Sequence, residues 1–423
     1  MSKPGRPGLL ALILAISALV TAACDPQQVL LGTEPDATDE SGGPDAAADA
    51  DAEDGDDRPT PPPIGDAGDT GWGDSDAPWL PEPDEVTICE GFGSTQLDLW
   101  AGDDGVYVAW SWMEIDHPEG GPWHAGPAHG RIDFNDGTGW SQRWASDRDV
   151  GTTWTSGVMV YDMVGRIGDR IATRLAHPDR LPACSWMLVG LWTSSPWEGL
   201  PQTASQPFVV DDDLAYAVWP DDAAGDTKMI RWDGATWGVV PAVLPYDRVS
   251  LVWADEDDLF VAGERGTVLS LEGDSWRVLD AGTLDNIVAI WGFGPDDLWL
   301  GTIRGGLRHF DGASWTAPEW PDRALEDGDD PRPILGMTGA DGVLFFLTRR
   351  QVTRWDGTAF DVLGYWHSRS SDLAPFLLKA IAARSPSELF VAAAQPDGDF
   401  YATDMCLNRP FVMRWDGAVW HWM

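Results

Sequence analysis

Basic residues are scarce: 27 Lys and Arg stand against 69 Asp and Glu, a net charge of −42. That excludes the electropositive footprint that nucleic-acid binding requires, and electrostatic docking on anionic lipid with it. Cysteine is nearly missing, at 4 residues, which leaves room for one disulfide once Cys24 is spent on an export signal. There are 6 Tyr and no Arg cluster, so the parts for sialidase-like chemistry are lacking. No G-x-S-x-G elbow, H-E-x-x-H or P-loop occurs. Carboxylates are so abundant that an acid–base pair could be drawn anywhere by chance, and no catalytic residue is assigned. Nothing calls for an obligate cofactor. The apolar run Leu9–Val20 is too short to span a bilayer as a helix.

Trp is present in excess, 26 of them, and most recur at fixed spacing. Val288–Trp315 carries the clearest copy. Val288–Trp291 is short, apolar and β-prone. Gly292–Pro295 punctuates it, and Asp297–Gly301 reads as a second strand. Gly305-Gly306 turns the chain into Leu307–Phe310, which alternates apolar and polar. Asp311-Gly312 is a hairpin turn, because Gly tolerates positive φ and Asp caps its own turn. Ser314-Trp315 opens a fourth strand. The neighbouring stretch on the N-terminal side repeats this, with Gly273 and Gly312 standing 39 residues apart.

Looser copies are Trp232–Trp237, Arg354–Phe360, Arg414–Trp420 and Asn135–Trp140. The gap from Gly137 to Gly234 has room for one more, with Leu191–Trp197 as its turn. A period near 40 with four strands per unit predicts an all-β fold: a β-propeller of seven four-stranded blades, with six or eight within reach. The pattern resembles bacterial Asp-box and kelch-like propellers, and especially the Trp-rich repeats of myxobacterial surface lipoproteins. The resemblance covers about Gln96–Met423 and implies the fold rather than a ligand. Where an Asp-box carries Ser or Thr two residues before its Asp, this chain has Arg231, His309, Arg354 and Arg414.

In order, residues 1–23 read as a signal peptide: Lys3 and Arg6 in the charged region, the apolar run, then Thr21-Ala22-Ala23 before Cys24. The last four look like a lipobox, which would make Cys24 the lipidated N-terminus and tether the protein to a membrane. Residues 24–88 are rich in Asp, Ala, Pro and Gly, and read as a disordered acidic linker. Residues 89–423 form the propeller. Cys89, Cys184 and Cys406 remain; a Cys89–Cys406 bridge would staple the ring, and Cys184–Cys406 is the alternative.

Four segments exceed the repeat: Met113–His129, Ser156–Leu181, Ala317–Arg332 and Asp397–Pro410. Long loops on a rigid scaffold commonly carry function. Trp110, Trp112, Trp123 and Trp366 are off-repeat and are candidates for stacking on a ligand such as a sugar ring. Asp116, His117, His124 and His129 are candidate metal ligands, although their spacing matches no motif. The expectation is a bacterial cell-envelope lipoprotein, on the outer membrane or cell surface, whose propeller binds a glycan or protein. A glycan-active hydrolase or lyase is the alternative.

Overall fold

The computed structural model describes residues 96–423 apart from 117–123, 147–158, 177–183, 191–192, 202, 222–225, 247–248, 322–332, 367–376 and 398–405. Its strands form seven four-stranded antiparallel sheets, each in simple sequence order. Blade 1 is β1 (Gln96–Gly102), β2 (Gly105–Asp116), β3 (His124–Asn135) and β4 (Trp140–Ala145). Blade 2 is β5 (Met159–Ile167), β6 (Arg170–Ala176), β7 (Cys184–Gly190) and β8 (Thr193–Pro196). Blade 3 is β9 (Phe208–Asp211), β10 (Leu214–Asp221), β11 (Asp226–Trp232) and β12 (Trp237–Val239). Blade 4 is β13 (Val249–Ala254), β14 (Leu259–Gly263), β15 (Thr267–Glu272) and β16 (Ser275–Asp280). Blade 5 is β17 (Ile287–Gly294), β18 (Asp297–Thr302), β19 (Leu307–Phe310) and β20 (Trp315–Thr316). Blade 6 is β21 (Gly336–Ala340), β22 (Val343–Leu347), β23 (Gln351–Trp355) and β24 (Phe360–Tyr365). Blade 7 is β25 (Leu377–Ser385), β26 (Glu388–Asp397), β27 (Cys406–Trp415) and β28 (Trp420–Trp422).

The first strands of successive blades touch one another around the ring, β25 against β1 included, so they are the inner strands. All four strands of blade 1 precede those of blade 2, and all four of blade 7 come last. The ring therefore closes by packing one blade's face on the next. Antiparallel order then sorts the connections. First-to-second and third-to-fourth turns lie on one face, the turn face. Second-to-third hairpins and blade-to-blade connections lie on the other, the loop face.

The recurring Asp-Gly builds the third-to-fourth turn. Asp356 Oδ1 accepts the N–H groups of Thr358 and Ala359, both at 2.9 Å. Asp233, Asp311 and Asp416 do the same to residues two and three ahead. The adjoining Gly357 sits at φ +91°, a region that costs an L side chain energy.

Between the blades lie apolar layers built by two-residue alternation. Val106, Val108 and Trp110 of β2 join Phe390, Ala392 and Val412 of blade 7. Tyr107 and Ala109, the intervening residues, join Val160, Met163 and Ile171 of blade 2. Each remaining junction has its own layer. Repeat Trp residues stitch neighbours as well. Trp253 Nε1 donates to Gly292 O at 3.1 Å, and Trp420 Nε1 to Leu363 O at 2.9 Å. The first of these contacts corrects the expected break at Gly292–Pro295. β17 runs on through Gly292 to Gly294 with a register shift, and position 292 needs Gly because a Cβ there would meet Leu298 at 2.5 Å and the Trp253 ring at 2.7 Å. Ser156–Leu181 also departs from expectation: its described part is mainly β5 and β6 rather than an insertion.

Candidate functional site

Two hairpins outgrow the ring on the loop face, and they belong to adjacent blades. β2 and β3 are 12 residues each, and β26 and β27 are 10 each, where a typical strand here has 4–7. At about 3.3 Å per residue, the β2–β3 hairpin projects on the order of 15 Å past the body. Its root is fixed to blade 2. The buried Ser111 hydroxyl donates to Val160 O at 2.7 Å and accepts the Val160 N–H at 2.6 Å.

The candidate residues distribute unevenly on this frame. Trp112 lies on the projecting part of β2, opposite His129 in the pairing. Asp116 and His124 face each other at the last described rung. His129 lies five residues along β3 from His124, on the order of 15 Å in an extended strand. The structure therefore does not gather His129 with Asp116 and His124 as one metal set, because the described rungs of β2 and β3 pair as an extended ladder. No metal-binding cluster occurs among the described residues. His117 and Trp123 lie outside the described residues, as do Cys24 and Cys89. Cys184 and Cys406 open the third strands of blades 2 and 7, equivalent backbone positions on either side of blade 1.

Trp110 and Trp366 are corrected. Both are buried, at 5% and 7% exposure. Trp110 Nε1 donates to Asp133 Oδ2 at 2.9 Å, and Arg131 Nε donates to Asp133 Oδ1 at 2.8 Å. Trp366 packs edge-on to Trp420 at 5.6 Å, above Gly364. Neither can stack on a ligand. The alternation Val106-Val108-Trp110 was the available signal that Trp110 continues a core row.

Two features of the site were not legible in the sequence. Asp98 on β1 reaches across to blade 2, where its Oδ2 accepts the Met163 N–H at 2.6 Å. Desolvation at this junction, and then the nearby Asp162 carboxylate, pushes Asp98 up to about 7. Arg174 pairs with Asp162 at 2.5 Å.

The second feature is a cleft of about 390 Å³ on the turn face, between blades 7 and 1. Arg384 bridges the seam there, donating from Nε and Nη2 to Gly102 O at 3.0 and 2.8 Å. Glu388 receives Arg414 Nε at 2.8 Å and Arg384 Nη1 at 3.4 Å. Asn135, the Gly137–Gly139 turn, Phe390, His421, Trp422 and Met423 complete the walls.

No family model and no curated protein matches this chain. Among solved structures it is similar to YCF48 from Cyanidioschyzon merolae, with 14% identity over 75% of this chain and 96% of that one and a TM-score of 0.48. It is similar to the RRP9 WD40 repeats, with 11% identity over 77% of this chain and 96% of that one and a TM-score of 0.47. The C-terminal WD40 domain of Sif2 gives 11%, 73%, 96% and 0.37. The likeness is one of fold. The propeller itself rests on this chain's own strand order and ring contacts.

Proposed function

We propose that this chain is an exported binding module: a lipoprotein of the bacterial cell envelope whose propeller takes a protein ligand on its loop face. The observation that carries the reading is the pair of long hairpins on adjacent blades. An antiparallel hairpin presents unpaired strand edges and side chains on both faces, which suits a partner's backbone as well as its side chains. A rigid ring beneath it holds the geometry. Burial of Trp110 and Trp366 removes half of the aromatic set that favoured a sugar, so protein moves ahead of glycan. The Thr21–Cys24 box supports lipidation, with residues 1–23 as signal peptide and 24–88 as an acidic spacer holding residues 89–423 off an outer-membrane or cell-surface bilayer.

A photo-reactive amino acid at Trp112 tests the ligand face. The expected result is a protein adduct of one mass on cells, absent when the group is placed at Asp274 on the turn face. Adducts from Asp274 alone would overturn it. Labelled palmitate tests the anchor, with incorporation expected in the parent and lost in Cys24→Ser. The glycan reading stands second, on the placement of Trp112. A polysaccharide panel read by Trp fluorescence separates it, and turnover in the same wells would bring the hydrolase or lyase forward.

A further inference from the structure

The two faces of the ring differ in charge. In blades 1–6 the first-to-second turn holds an Asp, which makes the turn face acidic. On the loop face, the second-to-third connections of blades 4, 5 and 6 bring up Arg265, Arg304 and Arg349 instead. Arg304 is answered by Asp285 at 3.7 Å, and Glu264 adjoins Arg265 in the chain. Arg349 differs, because the charge acting beside it is a second cation, Lys379.

Lys379 is the third residue of β25, an inner strand entered from the loop face. Strand pairing passes it over. Leu378 is opposite Ala393 and Ala380 is opposite Ala392, so Lys379 is the extra residue of a bulge. Leu378 belongs to the layer shared with blade 6, and Ala380 to the layer shared with blade 1. Lys379 is exposed between these two buried neighbours. For an inner strand, the direction still open to water is the axis of the ring. The Leu378 N–H donates to Arg349 O at 2.9 Å, which sets the blade 6 hairpin at the same end of that axis. Arg349 is exposed as well. The Lys379 amine is thus open to water yet walled by protein. That enclosure, and then the Arg349 guanidinium, push it below the ordinary 10.5. Among the described residues no carboxylate raises it again.

Leu284 and Val243 are the most exposed large apolar side chains among the described residues, at 87% and 78%. They stand on the blade 4–5 and blade 3–4 connections, on the same loop face. Exposed apolar groups and unanswered cations on one face suit a protein surface that carries acidic residues. A guanidinium takes a carboxylate in two-point geometry, and an ammonium adds a point charge. A long polyanion would meet the carboxylates that give the chain its net charge of −42, so a short acidic run fits better.

We propose, resting on the loop-face reading, that the protein ligand is acidic where it meets the ring. One of its carboxylate side chains enters the loop-face mouth and pairs with Lys379 and Arg349.

The chain's three lysines are Lys3, Lys228 and Lys379. Acetylation of the full chain by an acyl succinimide, read by mass spectrometry, therefore reports on Lys379. Lys228, over the Trp219 ring in blade 3, is the internal control. Labelling is run with an acetylated tetraglutamate peptide, with its tetraglutamine counterpart and with inorganic phosphate. Tetraglutamate is expected to slow Lys379 acetylation saturably, by about fivefold or more, and to leave Lys228 unchanged. Tetraglutamine is expected to do neither. On cells, Lys379→Gln combined with Arg349→Gln is expected to cut the Trp112 adduct about tenfold, while Lys379→Arg, which keeps the charge, retains it. Should the double variant unfold, protection of Lys379 in the parent decides. No slowing by tetraglutamate, or equal slowing by tetraglutamine or phosphate, would overturn the proposal. An unchanged adduct in the double variant would overturn it and leave the loop-face reading standing. A parent that gives no Trp112 adduct would overturn both.

Discussion

Asp356 and Asp416 show how single residues carry this fold. The Thr358 hydroxyl and then the Ala359 and Thr358 N–H groups hold Asp356 at about 2, and the Val419 N–H, His421 and the Ala418 N–H hold Asp416 at about 2. Depressed below the ordinary 3.8, they add stability that is present above that value and lost as pH falls through about 2. Asp98 has the opposite sign. Raised from 3.8 to about 7, it binds its proton more tightly in the folded state, so its contribution is full below 3.8 and is lost as pH rises through 7. Asp98→Asn is expected to flatten the dependence of Tm on pH between those two values, measured by thermal melts. A slope unchanged from the parent would show that other groups set it. Asp133 is fully buried and answers the buried Arg131. Asp133→Ala strands that guanidinium, and denaturant unfolding is expected to show a loss of about 3–5 kcal/mol.

At the scale of elements, strand length separates scaffold from projection. Ser111 ties β2 to blade 2, and β2 and β3 continue to pair beyond it as far as Asp116 and His124. Replacing Trp112–His129 with a short turn is therefore expected to leave Tm within about 5 °C of the parent, because long surface insertions contribute little to stability, while abolishing the Trp112 adduct. A collapse in Tm would mean that the hairpin belongs to the core. The β14–β15 connection behaves differently. Gly266 sits at φ +70°, and a Cβ there would meet the Thr283 carbonyl oxygen at 2.0 Å. Both are backbone constraints that side-chain motion cannot relieve, so Gly266→Ala is expected to cost more than about 1 kcal/mol in denaturant unfolding.

For the whole molecule, the question is how the ring stays shut. Among the described residues, blades 1 and 7 meet through faces, in the layer of Leu97, Leu99, Val106, Val108, Phe390 and Val412 and in the Arg384 bridge to Gly102. Every other junction is between blades consecutive in the chain; this one joins residues 282 apart in sequence. Arg384→Ala is expected to lower stability by about 1.5–3 kcal/mol. Hydrogen exchange should speed first at β1 and β25, since these strands flank the junction that no chain connection spans. Uniform acceleration around the ring would show that the seam is not the weakest point.

The sequence by itself determined the repeat. Asp-Gly turns, two-residue alternation and the 39-residue step are local properties of the backbone and of Trp packing, and they sufficed for four strands per blade and for seven blades. It could not determine which Trp is core and which projects. Trp110 and Trp366 stand outside the repeat, yet each fills a layer supplied by a neighbouring blade, and burial is decided by that neighbour. The same holds for Asp98, which becomes unusual only when blade 2 closes over it. Asp116, His124 and His129 resembled part of a metal set until strand pairing set His129 five residues along β3 from the Asp116–His124 rung. The seam cleft is the clearest case. Asn135, Arg384 and Arg414 meet only because closure of the ring brings the first blade against the last, and long-range closure leaves no mark in local sequence.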